Sequence, residues 1–320
     1  MLAFVTGANG LLGSALVRAL NRRGVRVKGL VRPGSDRSTL EGTLCEVIEG
    51  DLSTIDALRK GTEGADWLFH AAGTTARWYP DPEVHRLTNI VGTANVFQVA
   101  RQHRVKRAVY VGSLAVPRGV PGELSRTKMR AAEIAFENIK HGMHVVTVHP
   151  AVMAGPRDAK PSPMGQAIID YVKGDLTRYP RGGTGVIDVE DCAEHTVLAL
   201  ERGLPGHEYI LSAEYLSTQD IFQMIDFLIK RPVSGRPVPL LASKACAALG
   251  ELGAKFSGKP PRYSWFTERY LKAKPGSVNG GDGDRRVLRL PDPSPPEVFF
   301  LKAINWFSEK GMLQKQVRQY

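Results

Sequence analysis

Glycines stand at positions 7, 10 and 13 in Thr6-Gly7-Ala8-Asn9-Gly10-Leu11-Leu12-Gly13, between a short apolar run and an amphipathic stretch. Gly7 would permit a tight turn, Gly10 a close approach of backbone to a pyrophosphate, and Gly13 close packing of a helix on a strand. The phosphates would then rest on free N–H groups at a helix N-terminus. The end of the second apolar run reports on the ribose of such a dinucleotide. A carboxylate there takes a 2′-hydroxyl, and a basic residue pairs with a 2′-phosphate. Leu30-Val31-Arg32 offers no carboxylate and an arginine able to grip phosphate with two N–H groups, so NADP is expected rather than NAD. Ser125-Arg126-Thr127-Lys128 has the Ser-x-x-Lys spacing of serine acyl-transfer enzymes. Neither Lys-Thr-Gly nor Ser-Asp-Asn accompanies it, so Ser125 is expected to be a solvated helix residue. No metal site is expected. His144 and His149 would face opposite sides of a strand, and Asp191-Cys192-Ala193-Glu194-His195 lacks the His-Glu-x-x-His spacing.

The glycine loop needs a strand before it and a helix after it. Leu2–Thr6 reads as a buried strand. Leu11–Arg23 reads as a helix with Leu12, Ala15, Leu16, Ala19 and Leu20 on one face and Gly24 placed to end it. Val25–Val31, Leu44–Glu49, Trp67–Ala71, Ala108–Val111 and His144–His149 read as further strands. Helical spacing fills Ser53–Gly61, Val84–His103 and Glu123–Lys140 between them. Such alternation predicts an α/β fold with a doubly wound (Rossmann) parallel sheet.

After the proline-rich loop Pro156–Pro163 the pattern changes. Ile168–Lys173, Asp191–Arg202, Ile221–Lys230, Leu240–Phe256 and Glu297–Lys310 read as helices, and Gly185–Val189 and Glu208–Leu211 as short strands. Ser217-Thr218-Gln219-Asp220 resembles a capping box. Pro232–Pro239, Pro275–Asp284 and Pro291–Pro296 read as breaks. The expected organisation is a dinucleotide-binding domain over 1–160, then a smaller, mostly helical substrate module over 161–320, with segments around 177–205 returning to the first domain. Leu240–Phe256 is amphipathic and flanked by Lys244 and Lys255. Its apolar face is expected to pack on its own domain rather than to lie on a membrane surface.

Composition narrows the class. In 320 residues, 42% are hydrophobic and 23% charged, enough apolar side chain for a core and against global disorder. No run approaches the roughly 18–20 apolar residues of a membrane-spanning helix. Met1-Leu2-Ala3-Phe4-Val5 carries no basic leader, and Cys45, Cys192 and Cys246 show no paired spacing, so a reducing cytoplasm is expected. The net charge of +11 is spread along the chain, with a concentration at Arg18, Arg22, Arg23, Arg26, Lys28, Arg32 and Arg37. Without an interleaved aromatic stripe this predicts a solvated basic surface and no nucleic-acid partner.

The whole pattern resembles the extended short-chain dehydrogenase/reductase family, the NAD-dependent epimerase/dehydratase superfamily. Besides the glycine loop, Gly50-Asp51-Leu52 resembles the family's adenine-contacting segment, and His70-Ala71-Ala72-Gly73 its cofactor-lining turn. Asn89-Ile90-Val91-Gly92-Thr93 resembles its Asn-Gly-Thr helix motif, and His149-Pro150-Ala151-Val152 with Gly155-Pro156 the segment around the nicotinamide. Arg32-Pro33-Gly34-Ser35-Asp36-Arg37, Trp78-Tyr79-Pro80-Asp81-Pro82 and Leu198-Ala199-Leu200-Glu201-Arg202-Gly203 point to the dihydroflavonol-reductase-like and hopanoid-associated sugar-epimerase-like branch.

The resemblance implies cofactor contacts at Thr6, Gly7, Asn9, Gly10, Leu11, Leu12, Gly13 and Arg32. It implies others at Asp51, Leu52, Ala71, Ala72, Gly73, Asn89, Pro150 and Val152. It further implies that Ser113 polarises a carbonyl or hydroxyl and that Lys128 holds the nicotinamide ribose. The family's tyrosine, four residues before that lysine, is Leu124 here, and the span from Ser113 to Lys128 is shorter than the family's usual loop. A leucine moves no proton, so a non-standard route is expected, with Tyr79 as a candidate donor beside Arg77 and Trp78 in the substrate loop. His149 is a candidate near the substrate. The function expected is an NADP-dependent oxidoreductase acting on a carbonyl or hydroxyl of a small molecule. The alternatives are a redox-silent NADP-binding sensor or scaffold, or a non-redox isomerase or cyclase reusing the cleft. A homodimer through Val84–His103 and Glu123–Lys140 is what the resemblance implies for assembly.

Overall fold

Two continuous apolar pentapeptide-scale runs, Leu2–Thr6 and Trp67–His70, are buried at every residue, as strands covered on both faces must be. The computed structural model describes residues 1–230, 235–261, 263–272 and 282–313. In chain order the first strands are β1 (Leu2–Thr6), β2 (Arg26–Val31), β3 (Cys45–Glu49), β4 (Trp67–His70), β5 (Arg107–Val111) and β6 (His144–Pro150). There follow β7 (Val152–Ala154), β8 (Arg178–Tyr179), β9 (Gly183–Asp188), β10 (Glu208–Leu211), β11 (Glu214–Ser217) and β12 (Arg236–Pro237). Among the described residues the main sheet has seven strands in the order β10-β6-β5-β4-β1-β2-β3. All its pairings are parallel. The order reverses between β1 and β4, which opens a crevice at their carboxyl ends.

Helices cover both faces. Helix α1 (Leu11–Arg22) buries Leu12, Leu16 and Leu20, and Gly24, at φ +69°, lets the chain leave it. Helix α2 (Ile55–Thr62) lies on the opposite face, where Leu58, Leu68, Phe97 and Tyr110 share a core. The stretch read as one helix over Val84–His103 has three parts: α3 (Glu83–His85), a π-helical segment Arg86–Val91, and α4 (Gly92–Gln102). Helix α5 (Glu123–Glu137) packs beside α4.

A second, three-stranded sheet, β11-β9-β7, joins α6 (Pro163–Lys173), α8 (Thr218–Ile229) and α12 (Pro296–Glu309) around Tyr171, Phe222, Phe299 and Phe307. The expected capping box opens α8: Ser217 and Asp220 bond each other's backbone N–H. Helix α7 (Val189–Arg202) instead lies on α1, with Arg23 Nη1 donating to Glu194 Oε2 at 2.7 Å, and β10 pairs with β6 in the main sheet.

Helix α9 (Leu240–Ser257) corrects the expectation drawn from its periodicity. Ser243, Ala247 and Ala254 are the buried side, while Leu249, Leu252 and Phe256 face solvent. The reason is proximity: a Cβ on Gly250 would lie 2.6 Å from the Tyr263 carbonyl oxygen, a separation only small residues permit. Helix α10 (Trp265–Lys272) anchors this arrangement through buried Glu268, which accepts from Ser243 Oγ at 3.1 Å and from Tyr263 and Lys272. The glycine-rich break expected at Pro275–Asp284 falls mostly outside the described residues, and α11 (Asp282–Leu288) follows it. The first residues of the Pro232–Pro239 break are likewise outside them.

Candidate active site

The crevice at β1 and β4 widens into a cleft of about 1440 Å³ that runs to the second sheet. That exceeds the ordinary volume for one drug-sized ligand and suits a dinucleotide with a substrate beside it. Gly7 has φ +69°, and a Cβ on it would meet the Ala72 backbone at 3.0 Å. A Cβ on Gly13 would stand 2.0 Å from the Gly7 carbonyl oxygen, so the α1–β1 turn tolerates only glycine there. The α1 N-terminus carries no side-chain cap and no acid in its first turn, leaving its N–H groups for an anion.

Arg32 is exposed on the cleft wall beside Leu30 and Asp51, whereas Arg37 is committed to Glu49. Asp51 Oδ1 accepts from Ser53 N and Oγ and from Thr54 N and Oγ1, at 2.6–3.1 Å. The Ser53 hydroxyl bond chiefly holds its carboxyl below the usual range. Leu52 is wedged against Gly92, and Asn9 Nδ2 donates to Ser35 Oγ and the Asp36 carbonyl, closing the Arg32 loop onto the glycine turn.

A directed hydrogen-bond chain sets the turn after β4. Thr93 Oγ1 donates to the Asn89 carbonyl at 2.6 Å, so its oxygen accepts from His70 Nε2–H at 2.9 Å. His70 Nδ1 is then bare and accepts from Thr6 Oγ1 at 2.7 Å, and Thr6 Oγ1 accepts from Ala72 N–H at 3.1 Å. Burial, with the Lys128 charge nearby, pushes the His70 pKa down to about 3, so the ring stays neutral and the chain keeps one polarity. Thr6 thus positions Ala71 and Ala72, which line the cleft.

Beneath the next residue lies Lys128. A Cβ on Gly73 would stand 2.9 Å from Lys128 Nζ and 3.0 Å from Asn89 Oδ1. Nζ donates to the Val111 carbonyl at 3.0 Å, and burial lowers its pKa to about 8. Asn89 Oδ1 accepts from Thr74 N–H at 2.9 Å, and its Nδ2 donates to Thr127 Oγ1 at 3.1 Å. A buried ammonium with one protein acceptor has N–H groups to spare for ribose hydroxyls.

Ser113 is half-buried behind this floor, its Oγ accepting from Ala115 N–H at 3.3 Å, and it does not line the cleft. Leu124 is buried with Leu114, Ala115, Val120, Phe266 and Tyr270. Tyr79 does line the cleft, with its hydroxyl 2.8 Å from Thr74 Oγ1 and its ring edge-on to His85. Trp78 lines it as well, and Arg77 reaches across to Thr267 Oγ1 at 3.0 Å. A second phenol, Tyr270 of α10, enters from the opposite wall. Its oxygen lies 3.1 Å from Thr184 Oγ1, and the Arg118 guanidinium sits 4.7 Å over its ring.

Residues 3–212 match the family model for the NAD dependent epimerase/dehydratase family. The chain belongs to that family. Its members use a nicotinamide dinucleotide, and here the glycine turn and Asp51 lie on the cleft wall with Lys128 buried beneath Gly73. Within reach of the family are "Sterol demethylase protein B" of Methylococcus capsulatus, 29% identical over 98% of this chain and 100% of that protein, and "Putative dihydroflavonol 4-reductase" of Synechocystis, 29% identical over 98% and 96%. The solved structure of gox2253 is 31% identical and superposes with a TM-score of 0.84 over 98% of this chain and 99% of that one.

Against the family's pattern, the structure brings Gly7, Asn9, Gly10, Leu11, Arg32, Asp51, Leu52, Ala71, Ala72, Gly73 and Val152 to the cleft surface. Leu12, Gly13 and Pro150 stand behind it as buried support, and Thr6, Asn89 and Lys128 are likewise buried beneath the surface rather than on it. His149, read from the sequence as a substrate residue, is not on the cleft. Its ring is buried behind Gly112, with Nε2 2.8 Å from Glu208 Oε2 and Nδ1 against the Ser113 backbone. The residues that sequence reading missed are Tyr270, Thr184 and Arg118. The available signal was the Ser113–Lys128 span, expected to be short for the family, against which α10 packs. A Cβ on Gly122, two residues before Leu124, would lie 3.1 Å from Phe266. Among the described residues no group of His, Cys, Asp and Glu is placed to hold a metal, and no helix is long and apolar enough to cross a membrane.

Proposed function

We propose that the protein is an NADP-dependent oxidoreductase acting on a carbonyl or hydroxyl of a largely apolar small molecule. The observation that carries this is Lys128, a buried ammonium held directly beneath Gly73 with one protein acceptor. When bound, the cofactor supplies or accepts hydride. This chain's residues do the remainder: α1 and the glycine turn bind phosphate, Arg32 takes the 2′-phosphate, and Lys128 with Asn89 orients the nicotinamide ribose. Trp78, Phe222, Tyr263 and Leu271 give the substrate end an aromatic and apolar wall. Two relatives carry sterol and dihydroflavonol in their names, molecules of the same character.

The proton route runs through Tyr270 in this reading. When Thr184 Oγ1 donates to the phenol oxygen, the Tyr270 O–H is left to point into the cleft, and Arg118 and Arg77 flank it with positive charge. Tyr79 is the second donor, supported by its bond to Thr74, next to Gly73. Ser113 would act only after the 113–120 turn shifts toward the cleft. A homodimer across α4 and α5, which the resemblance implies, is compatible with this reading, and Met129 is exposed on α5. The redox-silent alternative rests on the resemblance, which would put the family's tyrosine where this chain has the buried Leu124.

Oxidation of NADPH by a panel of apolar ketones and aldehydes, followed by absorbance, tests the proposal. Turnover with any member supports it, and a protein that binds NADPH but oxidises it with none supports the redox-silent reading. Arg32→Ala should weaken NADPH by about tenfold or more while leaving NADH nearly unchanged, because one charge-assisted phosphate contact contributes roughly 1.5–3 kcal/mol. Equal losses for both cofactors would remove the NADP assignment.

A further inference from the structure

Helix α9 is built the wrong way round for a solvated helix. Ser243, Ala247, Gly250 and Ala254 recur at spacings of four, three and four, and form the side that meets the body of the protein. On the opposite side Leu249 is 68%, Leu252 52% and Phe256 85% exposed, one stripe over two turns. Lys244 and Lys255 lie along one edge of this stripe and Lys259 follows it, all exposed. The helix has one acid, Glu251, and its carboxylate is turned away to accept from Trp265 N–H at 2.9 Å. The exposed face is therefore apolar, edged by three cations and free of carboxylate.

We infer that α9 docks on an anionic lipid bilayer, lying in the headgroup plane with Leu249, Leu252 and Phe256 inserted. Contiguous apolar side chains at such exposure mark an interaction surface, and lysines along the edge of an interfacial helix match anionic headgroups. The charge pattern argues against a second copy of this chain. An antiparallel two-fold contact through the stripe would bring the lysine edges of both copies together with no carboxylate on the face to separate them. A bilayer supplies the missing negative charge, and the protein's net charge of +11 adds attraction from a distance. Gly258, Pro260, Pro261 and Tyr263, which follow the helix directly, line the cleft. Docking α9 thus sets the rim of the substrate site against the membrane and gives a bilayer-dissolved molecule a short entry.

The inference does not depend on the redox reading, because binding is read without turnover. The test is sedimentation of the full chain with vesicles of neutral phosphatidylcholine, and with vesicles containing about a third phosphatidylglycerol. The anionic vesicles should carry the protein down and the neutral ones should not. Each of Lys244→Gln, Lys255→Gln and Lys259→Gln should weaken partition by about fivefold. The double change Leu252→Ser and Phe256→Ser should lower it by roughly tenfold or more, since two exposed apolar anchors are lost. These side chains are solvent-facing, so circular dichroism and Tm should stay at parental values. Absence of binding to anionic vesicles, or equal binding by the double variant, overturns the inference. So does a concentration-dependent dimer that Phe256→Ser dissolves while vesicles bind nothing, which would give the face to a second copy.

Discussion

Tyr270→Phe should slow carbonyl reduction by about 10²–10⁴-fold, the usual contribution of a positioned proton donor. The loss should fall in kcat, with KM little changed, because phenylalanine keeps the ring that stacks on Phe266 and lies under Arg118. Tyr79→Phe, at the opposite wall, should cost much less if the proton comes from α10. The pair of variants is decisive because both phenols line the same cleft and each has a hydroxyl partner, Thr184 or Thr74. Parental turnover in Tyr270→Phe together with a large loss in Tyr79→Phe would move the donor to the substrate loop. Restoring tyrosine at Leu124 is not expected to replace Tyr270, since that position is buried in the core under Phe266.

Lys128→Met should reduce NADPH affinity by roughly a hundredfold, the loss of about two charge-assisted hydrogen bonds to ribose. Fluorescence titration of the folded variant would measure it, and parental affinity would make Lys128 a structural residue only. The same lysine predicts a pH dependence. Its folded pKa of about 8 lies below the ordinary 10.5, so the unfolded chain holds the proton more tightly between those values. Stability contributed at this site therefore rises as pH climbs from about 8 to 10.5, and the penalty is greatest below that window. Methionine carries no such penalty. Any stability advantage of Lys128→Met over the parent should narrow by about 3 kcal/mol across the window, at 1.36 kcal/mol per pKa unit. In the parent, NADPH affinity should fall as pH rises through about 8, where the ammonium is lost.

Much of the fold was legible because its determinants are local. Most strands of the main sheet are short apolar runs, the helices over it show one-sided stripes, and the glycine triplet marks where one passes into the other. Lys128 was named through the family resemblance, and the structure buries it beneath Gly73 on the helix that follows β5. Tyr270 was not, because nothing in Trp265–Lys272 announces chemistry, and its role comes from packing against a turn far away in the chain. His149 was placed near the substrate by its position at the end of β6, which does not give its partner on the neighbouring strand, here Glu208. The orientation of α9 escaped for a different reason. Periodicity says which residues share a face, and only the position of Tyr263 decides which face is covered.

The π-helical segment Arg86–Val91 has a consequence for how this chain can change. Such segments behave as one extra residue spliced into an α-helix, and each residue turns a helix by about 100°. Downstream, Val96, Phe97, Val99 and Ala100 must keep their phase against the core. Within the segment itself, Asn89 must aim at Thr74 and Thr127. A uniform helix would tie the two phases together, so that any adjustment of one rotated the other. The wide turn uncouples them. Deleting a single residue there would straighten the helix and swing Asn89 out of register with the core-facing residues, whereas substitutions in the turn at positions other than Asn89 leave both phases intact. Length, more than identity, is the quantity this stretch of chain is constrained to keep.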